Sequence, residues 1–453
     1  MKVLQIAAAF LGTAALSSIS FILPVVGIAA ACGIGLSGAA FLFAATVSWL
    51  FLNYVTCARH SMDERVFKEA HCEGGKIYYR GKIPILELNC ENPFQAGYAH
   101  GYLLGAQIHP LKKNMELAIH SVLRNPRSPQ LKKVLHELRA QIPADYLREM
   151  EGLSEGYNAW AKAANLSTRM TPEDVLLVHL IPDSKHFHPK ELELAFGKRK
   201  KESDLQGAMA CTSLLLRDAQ KRVVFGRNMD WCPFGKGADA TVVILRKAEK
   251  TATLGCAGMI GAISAWNKNG LSIAMNVCPG KTSEVRGIPT TLFLREILRK
   301  SKTVRDAEEM TAQIRPLGPS HTILADRTGR GACISFYQGP REQDYIRHLE
   351  EDKPLLTVNW RYPECRGGSF DSAGRTKILN RYFREASAQI PANELDAHKL
   401  MENALKLTPL VNSWITMHSL IFTPQLDEVS MSWDNGYAAA ASRETLSMNG
   451  IFN

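Results

Sequence analysis

Between Val3 and Ala58 the chain carries no charged side chain, and no other feature restricts its folding as much. Drawn out as a helix, this run would measure roughly 84 Å at about 1.5 Å per residue, against a bilayer hydrocarbon core of about 30 Å. One straight crossing cannot use it all, so a transmembrane helical hairpin over residues 1–58 is expected. The break falls near Phe21 to Gly27, where Pro24 removes a backbone donor and Gly27 loosens the chain. Gly33, Gly35 and Gly38 give the second half small-residue faces suited to close helix packing. Lys2 ahead of an apolar run also satisfies the charge rule for a secretory signal or a single signal anchor, but the run is too long for a simple cleaved signal. Arg59, Arg65, Lys68, Lys76 and Arg80 follow the segment and only Lys2 and the terminal amine precede it, which favours a cytoplasmic body over an exported one. The bilayer is thus the first expected partner, through residues 3–58.

Beyond Arg59 the composition is that of an ordinary water-soluble body. The balance of 54 Lys+Arg against 44 Asp+Glu gives +10, but the basic residues are spread along the chain, so no nucleic-acid partner is expected. The one dense tract, Lys198 to Asp204, reads as an exposed loop. Ten cysteines without a Cys-x-x-Cys pair suggest neither a zinc ribbon nor a thioredoxin-like redox site. His186-Phe-His188, with His179, Asp183 and Glu191 nearby, completes no recognised metal-ligand spacing and reads as a solvated loop. Neither metal nor cofactor is expected.

The pattern along this body is mixed. Lys76 to Arg80 and Ile83 to Leu88 read as strands, and Asn92 to Ala164 as helices, the first opened by Asn92-Pro93. Tyr146, Leu147, Met150, Leu153, Tyr157 and Trp160 recur every three or four residues, the period of a helix with one buried face. Gly152-Leu-Ser-Glu-Gly156 sits inside that period. It fits the Gly-x-Ser-x-Gly nucleophile elbow in letters but not in context, because an elbow needs a strand before its serine. After residue 210 short strands follow one another: Thr212 to Arg217, Val223 to Arg227, Ala240 to Leu245, Gly261 to Trp266, Leu271 to Asn276, His321 to Ala325 and Gly331 to Phe336. A helix over Thr290 to Lys300 interrupts them, and others are expected after Thr303 and Gly374. Runs of helices and runs of strands argue for α+β layers.

The stretch that carries chemistry runs from Ala208 to Trp231. Two apolar strands flank Asp218 to Lys221, and a turn centred between Ala219 and Gln220 would place Cys211 roughly opposite Asn228. Arg227 and Asp230 then return beside Cys211, where a guanidinium stabilises a thiolate and a carboxylate holds an amine or thiol proton. On composition alone a structural cysteine on a strand fits as well.

Cys211-Thr-Ser followed by Gly226-Arg-Asn-Met-Asp-Trp231 resembles the self-cleaving start of the N-terminal nucleophile hydrolases related to acid ceramidase, N-acylethanolamine acid amidase, isopenicillin N acyltransferase and choloylglycine hydrolase. Further segments are similar in family order: Asn92 to Gly101, Gly270 to Asn276, Gly287 to Leu298, His321 to Gly329, Thr357 to Trp360 and Asp371 to Arg375. The likeness spans about residues 73 to 445 and leaves out the apolar start.

The resemblance implies an αββα four-layer sandwich and a precursor that cuts itself between Ala210 and Cys211. It divides the chain into an anchor (1–58), a first fragment (59–210) and a catalytic fragment (211–453) headed by Cys211. An α-amine titrates near 7.7 to 8.0 and a lysine near 10.4, so at pH 7 roughly a tenth of the former is free base and almost none of the latter. One residue would then supply nucleophile and base. By position Arg227 matches the arginine near the thiolate, Asp230 the aspartate that holds the new amine, Asn276 and Asn359 the asparagines suited to a developing oxyanion, and Arg375 a later arginine that closes the site. The implied activity is hydrolysis of N-acyl, lipid-like amides through a thioester. Acyl transfer from the same intermediate is an alternative, and a non-catalytic lipid- or protein-binding relative is another. Oligomeric state is left open.

Overall fold

The computed structural model describes residues 61–122, 129–183, 209–231, 237–280, 285–337, 344–366, 371–389 and 396–453. The expected hairpin over 1–58, the charged run from Lys198 and the His186-Phe-His188 pair lie outside them. Among the described residues no helix is long and apolar enough to cross a membrane.

Three strands open the body, β1 (Ala70–Cys72), β2 (Gly75–Arg80) and β3 (Ile83–Leu88), followed by five helices. These are α1 (Pro93–Leu103), α2 (Gly105–Val122), α3 (Pro129–Arg139), α4 (Ala144–Ala163) and α5 (Pro172–His179). The expected start of α1 is confirmed: the Asn92 side chain accepts the Phe94 and Gln95 N–H groups at 2.9 and 3.4 Å, and Pro93 occupies the first turn. The hairpin β4 (Met209–Arg217) and β5 (Val223–Trp231) comes next. Then follow β6 (Thr241–Arg246), β7 (Thr251–Cys256), β8 (Ser264–Asn267), β9 (Ser272–Val277), α6 (Thr290–Lys300), α7 (Val304–Met310), β10 (Ser320–Ala325), β11 (Gly331–Phe336), β12 (Tyr345–His348) and β13 (Leu355–Thr357). The chain ends with α8 (Ser372–Gln389), α9 (Ala397–Leu405), β14 (Thr416–Thr423), β15 (Glu428–Trp433) and β16 (Glu444–Ser447).

The strands form two sheets. The larger has the order β1-β2-β3-β6-β7-β8-β9-β10-β11-β12, antiparallel except where β3 joins β6, and the smaller the order β13-β4-β5-β14-β15-β16. Alternation along each strand separates three apolar layers. Val243, Leu245, Ala274 and Ile323 of the large sheet meet Leu215, Phe225, Leu420 and Phe422 of the small one. Val242, Ile244, Ile273 and Met275 face Leu104, Tyr146, Leu153 and Phe293 of the first helical layer. Leu214, Leu216, Val224 and Ile421 face Leu379, Phe383, Met401 and Leu405 of α8 and α9. Helices, two sheets and helices are the four layers that the resemblance implied.

The expected strand over Gly261 to Trp266 is confined to Ser264–Asn267, because Gly261 is pressed against Thr291: a Cβ there would meet Thr291 Cβ at 2.7 Å. The late strands β14 and β15 escape the sequence pattern. Both faces of β14 are covered and all eight of its residues are buried, which erases the two-residue period.

Gly152-Leu-Ser-Glu-Gly156 lies within α4, and the Ser154 hydroxyl donates to Glu151 O at 2.8 Å, an intrahelical bond. Its glycines have a packing reason. Cβ atoms on Gly152 and Gly156 would lie 2.0 and 2.1 Å from Phe94 O and Tyr98 O, and Cβ atoms on Gly97 and Gly101 would lie 2.0 and 2.1 Å from Glu149 O and Leu153 O. The two helices cross backbone to backbone through one glycine pair on each. Gly152→Ala should therefore lower stability by about 3 kcal/mol through overpacking, read as a fall in the urea midpoint, whereas Ser154→Ala should leave both the midpoint and any activity unchanged.

Candidate active site

The hairpin that presents Cys211 is set by its turn. Asp218 takes the Gln220 and Arg222 N–H groups on Oδ1 at 2.9 and 2.8 Å, and Lys221 adopts a left-handed φ of 61°, so the loop holds Asp218 to Arg222 between Arg217 and its partner Val223. The register is one residue away from the expected one: Cys211 pairs with Met229, not with Asn228. A shift of one residue exchanges the faces of a strand. Cys211, Ser213, Arg227 and Met229 consequently share the face toward the large sheet, and Ala210, Thr212, Asn228 and Asp230 share the face toward α8 and α9.

On the first face Arg227 Nη2 lies 3.5 Å from Cys211 Sγ, and its Nη1 donates to Met275 O and, at 3.1 Å, to Asn276 Oδ1. The Asn276 amide donates to Thr357 O at 3.0 Å and to Cys211 O at 3.5 Å, while its oxygen also accepts the Ser213 hydroxyl at 2.9 Å. Asn359 Oδ1 accepts the Cys211 N–H at 2.9 Å, and its amide donates to Val277 O at 2.7 Å. In the continuous chain Asn359 thus grips the nitrogen of the Ala210–Cys211 peptide. Arg375 is fully buried and donates to Cys211 O at 2.6 Å, Thr212 Oγ1 at 3.2 Å, Asn359 Oδ1 at 2.8 Å and Ser372 Oγ at 3.1 Å. Asp230 pairs with Ala210 across the hairpin and accepts the Thr416 hydroxyl on Oδ1 at 2.6 Å. Its Oδ2 is buried with no partner among the described residues. All six residues singled out in the sequence, Cys211, Arg227, Asp230, Asn276, Asn359 and Arg375, therefore gather around Cys211: Asn359 holds its N–H, Asn276 and Arg375 its carbonyl and Arg227 its sulfur, while Asp230 stands across the hairpin from Ala210.

Ser213, Thr357, Ser372 and Thr416 complete the cage and were not singled out. For Ser213 the signal was available, since a residue two beyond Cys211 on a strand must share its face. Thr357 and Ser372 lie inside the similar segments Thr357 to Trp360 and Asp371 to Arg375, whereas Thr416 on the distant strand β14 carried no signal. The loop that carries Asn359 is pinned by Tyr337, whose hydroxyl accepts Tyr362 N–H at 2.7 Å and donates to Tyr362 O at 2.8 Å. His321 Nε2 donates to Trp360 O at 2.7 Å in the same loop.

The electrostatics are those of a sealed site. Burial pushes the Cys211 thiol up, and this outweighs the neighbouring Arg227 guanidinium, so the expected thiolate stabilisation does not prevail in the uncut chain. Burial likewise raises Asp230 to about 7, against the opposing pull of Arg375, the Thr416 hydrogen bond and Arg227. Asp183, which accepts the Thr290 N–H at 3.0 Å and its hydroxyl at 2.5 Å, is also raised to about 7 by burial.

Trp231, the residue after Asp230 and the strand partner of Met209, lines a cleft of about 610 Å³ including its open mouth. Apolar residues of α2 and α5, Met170 and the stretch Cys256 to Met259 form most of its other walls, with Lys112 and Asp174 as the charged lining residues. Among the described residues no group of three or more His, Cys, Asp or Glu could hold a metal ion.

Comparison with known proteins gives a matching result at the level of the enzyme group. Residues 217–359, less than half of the chain, match the family model described as acyl-coenzyme A:6-aminopenicillanic acid acyl-transferase. That family is of the N-terminal nucleophile type to which the motifs were likened, so the chain is related through this segment to amidase-like enzymes and acyltransferases. An uncharacterized protein of Archaeoglobus fulgidus is 22% identical over 288 residues, which are 60% of this chain and 45% of that protein. The alignment thus spans less than half of that relative. Among solved structures, the Caenorhabditis elegans ortholog of N-acylethanolamine-hydrolyzing acid amidase is 19% identical, with 48% of this chain and 93% of that chain covered and a TM-score of 0.39. A mutant conjugated bile acid hydrolase from Clostridium perfringens is 15% identical, with 53% and 93% covered and a TM-score of 0.38. Penicillin V acylase from Agrobacterium tumefaciens is 12% identical, with 49% and 82% covered and a TM-score of 0.34. Overlaps this loose carry no residue-by-residue argument.

A raised carboxyl pKa has a defined sign in stability. Asp183 and Asp230 bind protons more tightly folded than unfolded between about 3.8 and about 7, so the uncut chain loses stability as pH rises through that window. In a Cys211→Ala background, kept continuous by the substitution, the melting temperature should fall between pH 5 and pH 8, and Asp230→Asn should flatten the slope. An equal slope in both proteins would show that Asp230 is already ionised.

Proposed function

We propose that this chain is a membrane-anchored, self-processing cysteine amidohydrolase that cleaves N-acyl amides bearing an apolar acyl chain through a thioester on Cys211. The observation that carries the reading is Asp230 Oδ2, which has no partner among the described residues and is buried across the hairpin from Ala210. Leaving a buried carboxylate oxygen unpaired costs about 1–3 kcal/mol or more. A free amine on Cys211 would supply the missing partner, and cutting the Ala210–Cys211 peptide creates that amine.

The cage suggests how the cut proceeds. Cys211 Sγ attacks the Ala210 carbonyl carbon, and the thiol proton passes to the Cys211 nitrogen as the C–N bond breaks. Water then hydrolyses the resulting thioester, leaving a carboxylate on Ala210 and a free amine and thiol on Cys211. In the later catalytic cycle that amine takes the thiol proton, and the sulfur attacks the acyl carbon of the substrate. The proton returns to the departing amine, and water attacks the acyl thioester with the same amine as base. Asn359 Oδ1 orients the amine by accepting one of its hydrogens, and Asp230 holds it on the opposite side. Arg227 balances charge at sulfur. Asn276 and Asn359 are the amides within reach of the oxyanion, a role worth about 3–4 kcal/mol per donor in the barrier.

The cleft beside Trp231 is lined mainly by apolar side chains, a lining that suits an apolar acyl group. An anchor at residues 3–58 would keep that cleft near the bilayer, on the cytoplasmic side by the charge rule, where lipid-linked amides concentrate. Acyl transfer is the second reading, favoured by the description of the matched acyl-transferase family; capture of the thioester by an amine or thiol in place of water is the only chemical difference.

Intact-mass measurement on purified protein provides the test. The 50.1 kDa chain should divide into fragments of roughly 23 and 27 kDa in proportion to the cut position, the larger beginning at Cys211, while Cys211→Ala stays whole and inactive on a panel of N-acyl amides. A continuous chain that still hydrolyses the panel would overturn the mechanism. Cleavage with turnover only when an acceptor amine is added would favour transfer.

A further inference from the structure

One wall of the cleft is built with more charge than packing requires. The end of β7 and the turn after it contribute Cys256 to Met259, and buried polar groups from four other elements hold this turn. His100 on α1 accepts the Gly258 N–H at Nε2, 3.0 Å away, and His179 on α5 accepts the Ile260 N–H at Nε2, 3.2 Å away. His179 Nε2 is therefore the unprotonated nitrogen, and Nδ1 donates to Thr291 Oγ1 at 2.9 Å. Ile260 O accepts Arg246 Nη2 at 2.8 Å and Arg295 Nη1 at 3.0 Å. Glu149 balances both guanidiniums, at 3.2 and 2.7 Å, and Glu249 meets Arg295 at 2.5 Å. Burial, aided by the two guanidiniums, keeps both imidazoles neutral, with His179 lowered to about 3. Only a neutral imidazole can accept these N–H groups.

Met259, which lines the cleft, is thus gripped on each side, through Gly258 and through Ile260. Burying ion pairs costs desolvation that an apolar wall would avoid, so such a cluster fixes a position more than it adds stability. None of its members takes part in the chemistry at Cys211.

We propose that this clamp gauges the acyl chain: His100 and His179 are positioning residues that set, through Met259, the length of apolar chain the cleft accepts. The proposal rests on the amidase reading above. Each methylene that fits is worth about fourfold in binding, so a wall that yields changes the profile over chain length and leaves the chemical step alone.

The test uses the full self-cleaved chain in lipid nanodiscs and butanoyl, octanoyl, dodecanoyl and hexadecanoyl amides of one fluorogenic amine. His179→Phe keeps ring volume without an acceptor, and His179→Gln restores an acceptor. The Phe variant should raise KM for the preferred chain about tenfold, leave kcat within about twofold, and cleave itself normally, with Gln recovering most of the loss. Thr291→Val removes only the partner of Nδ1 and should move the profile the same way by less, which supplies the reading if His179→Phe fails to fold. An unchanged profile in these variants, or an equal fall in kcat for every chain length, overturns the clamp. If the wild type hydrolyses no amide the amidase reading falls, and the clamp is then judged by binding of the matching fatty acids to the same proteins, where unaltered chain-length dependence again overturns it.

Discussion

The pairing of β4 with β5 is the constraint on which the rest of the site depends. Because Cys211 faces Met229 and not Asn228, Arg227 joins Ser213 on the thiol's side of the strand pair and Asp230 stands on the other, opposite Ala210. The neighbouring strands then become necessary. Asn276 reaches in from β9 of the facing sheet, and Thr416 and Arg375 approach from the α8–α9 side of the small sheet. A slip of β5 by one residue would carry Arg227 away from the sulfur and from Asn276 Oδ1.

A second constraint joins the parts of the chain before and after Cys211. β3 extends the large sheet through its parallel pairing with β6. Glu149, His100 and His179, all before Cys211, bond to Arg246, Arg295, Gly258 and Ile260, all after it. Removing any one of these partners would leave a buried charge or N–H uncompensated. A chain severed at residue 210 would therefore keep its two parts within one structure, held by sheet hydrogen bonds and by ion pairs that water cannot replace.

Much of the site was legible because its residues sit in local patterns. Apolar runs on either side of Asp218 to Lys221 marked both strands of the hairpin, Asn92-Pro93 marked the start of α1, and helical spacing exposed Gly152 to Gly156 as a motif in letters only. What escaped was set by contacts distant in sequence. The true turn at Asp218 to Arg222 depends on an Asp side chain capturing two N–H groups, which shifts the register by one. The strand β14 has no alternation to read, since both of its faces are covered. Thr416 and Ser372 reach Asp230 and Arg375 from positions that no spacing relates to Cys211.

The amino-acid sequence by itself determined which side chains could do acyl chemistry, that strands and helices would form layers, and that a long uncharged segment precedes the body, because residue type and period are local properties. Only the tertiary structure decided which face of the hairpin each residue occupies, that burial outweighs the guanidinium at the Cys211 thiol, and that one Asp230 carboxyl oxygen is buried with no partner among the described residues. Those outcomes depend on how much water the surrounding layers exclude, and exclusion is a property of the assembled sheets and helices.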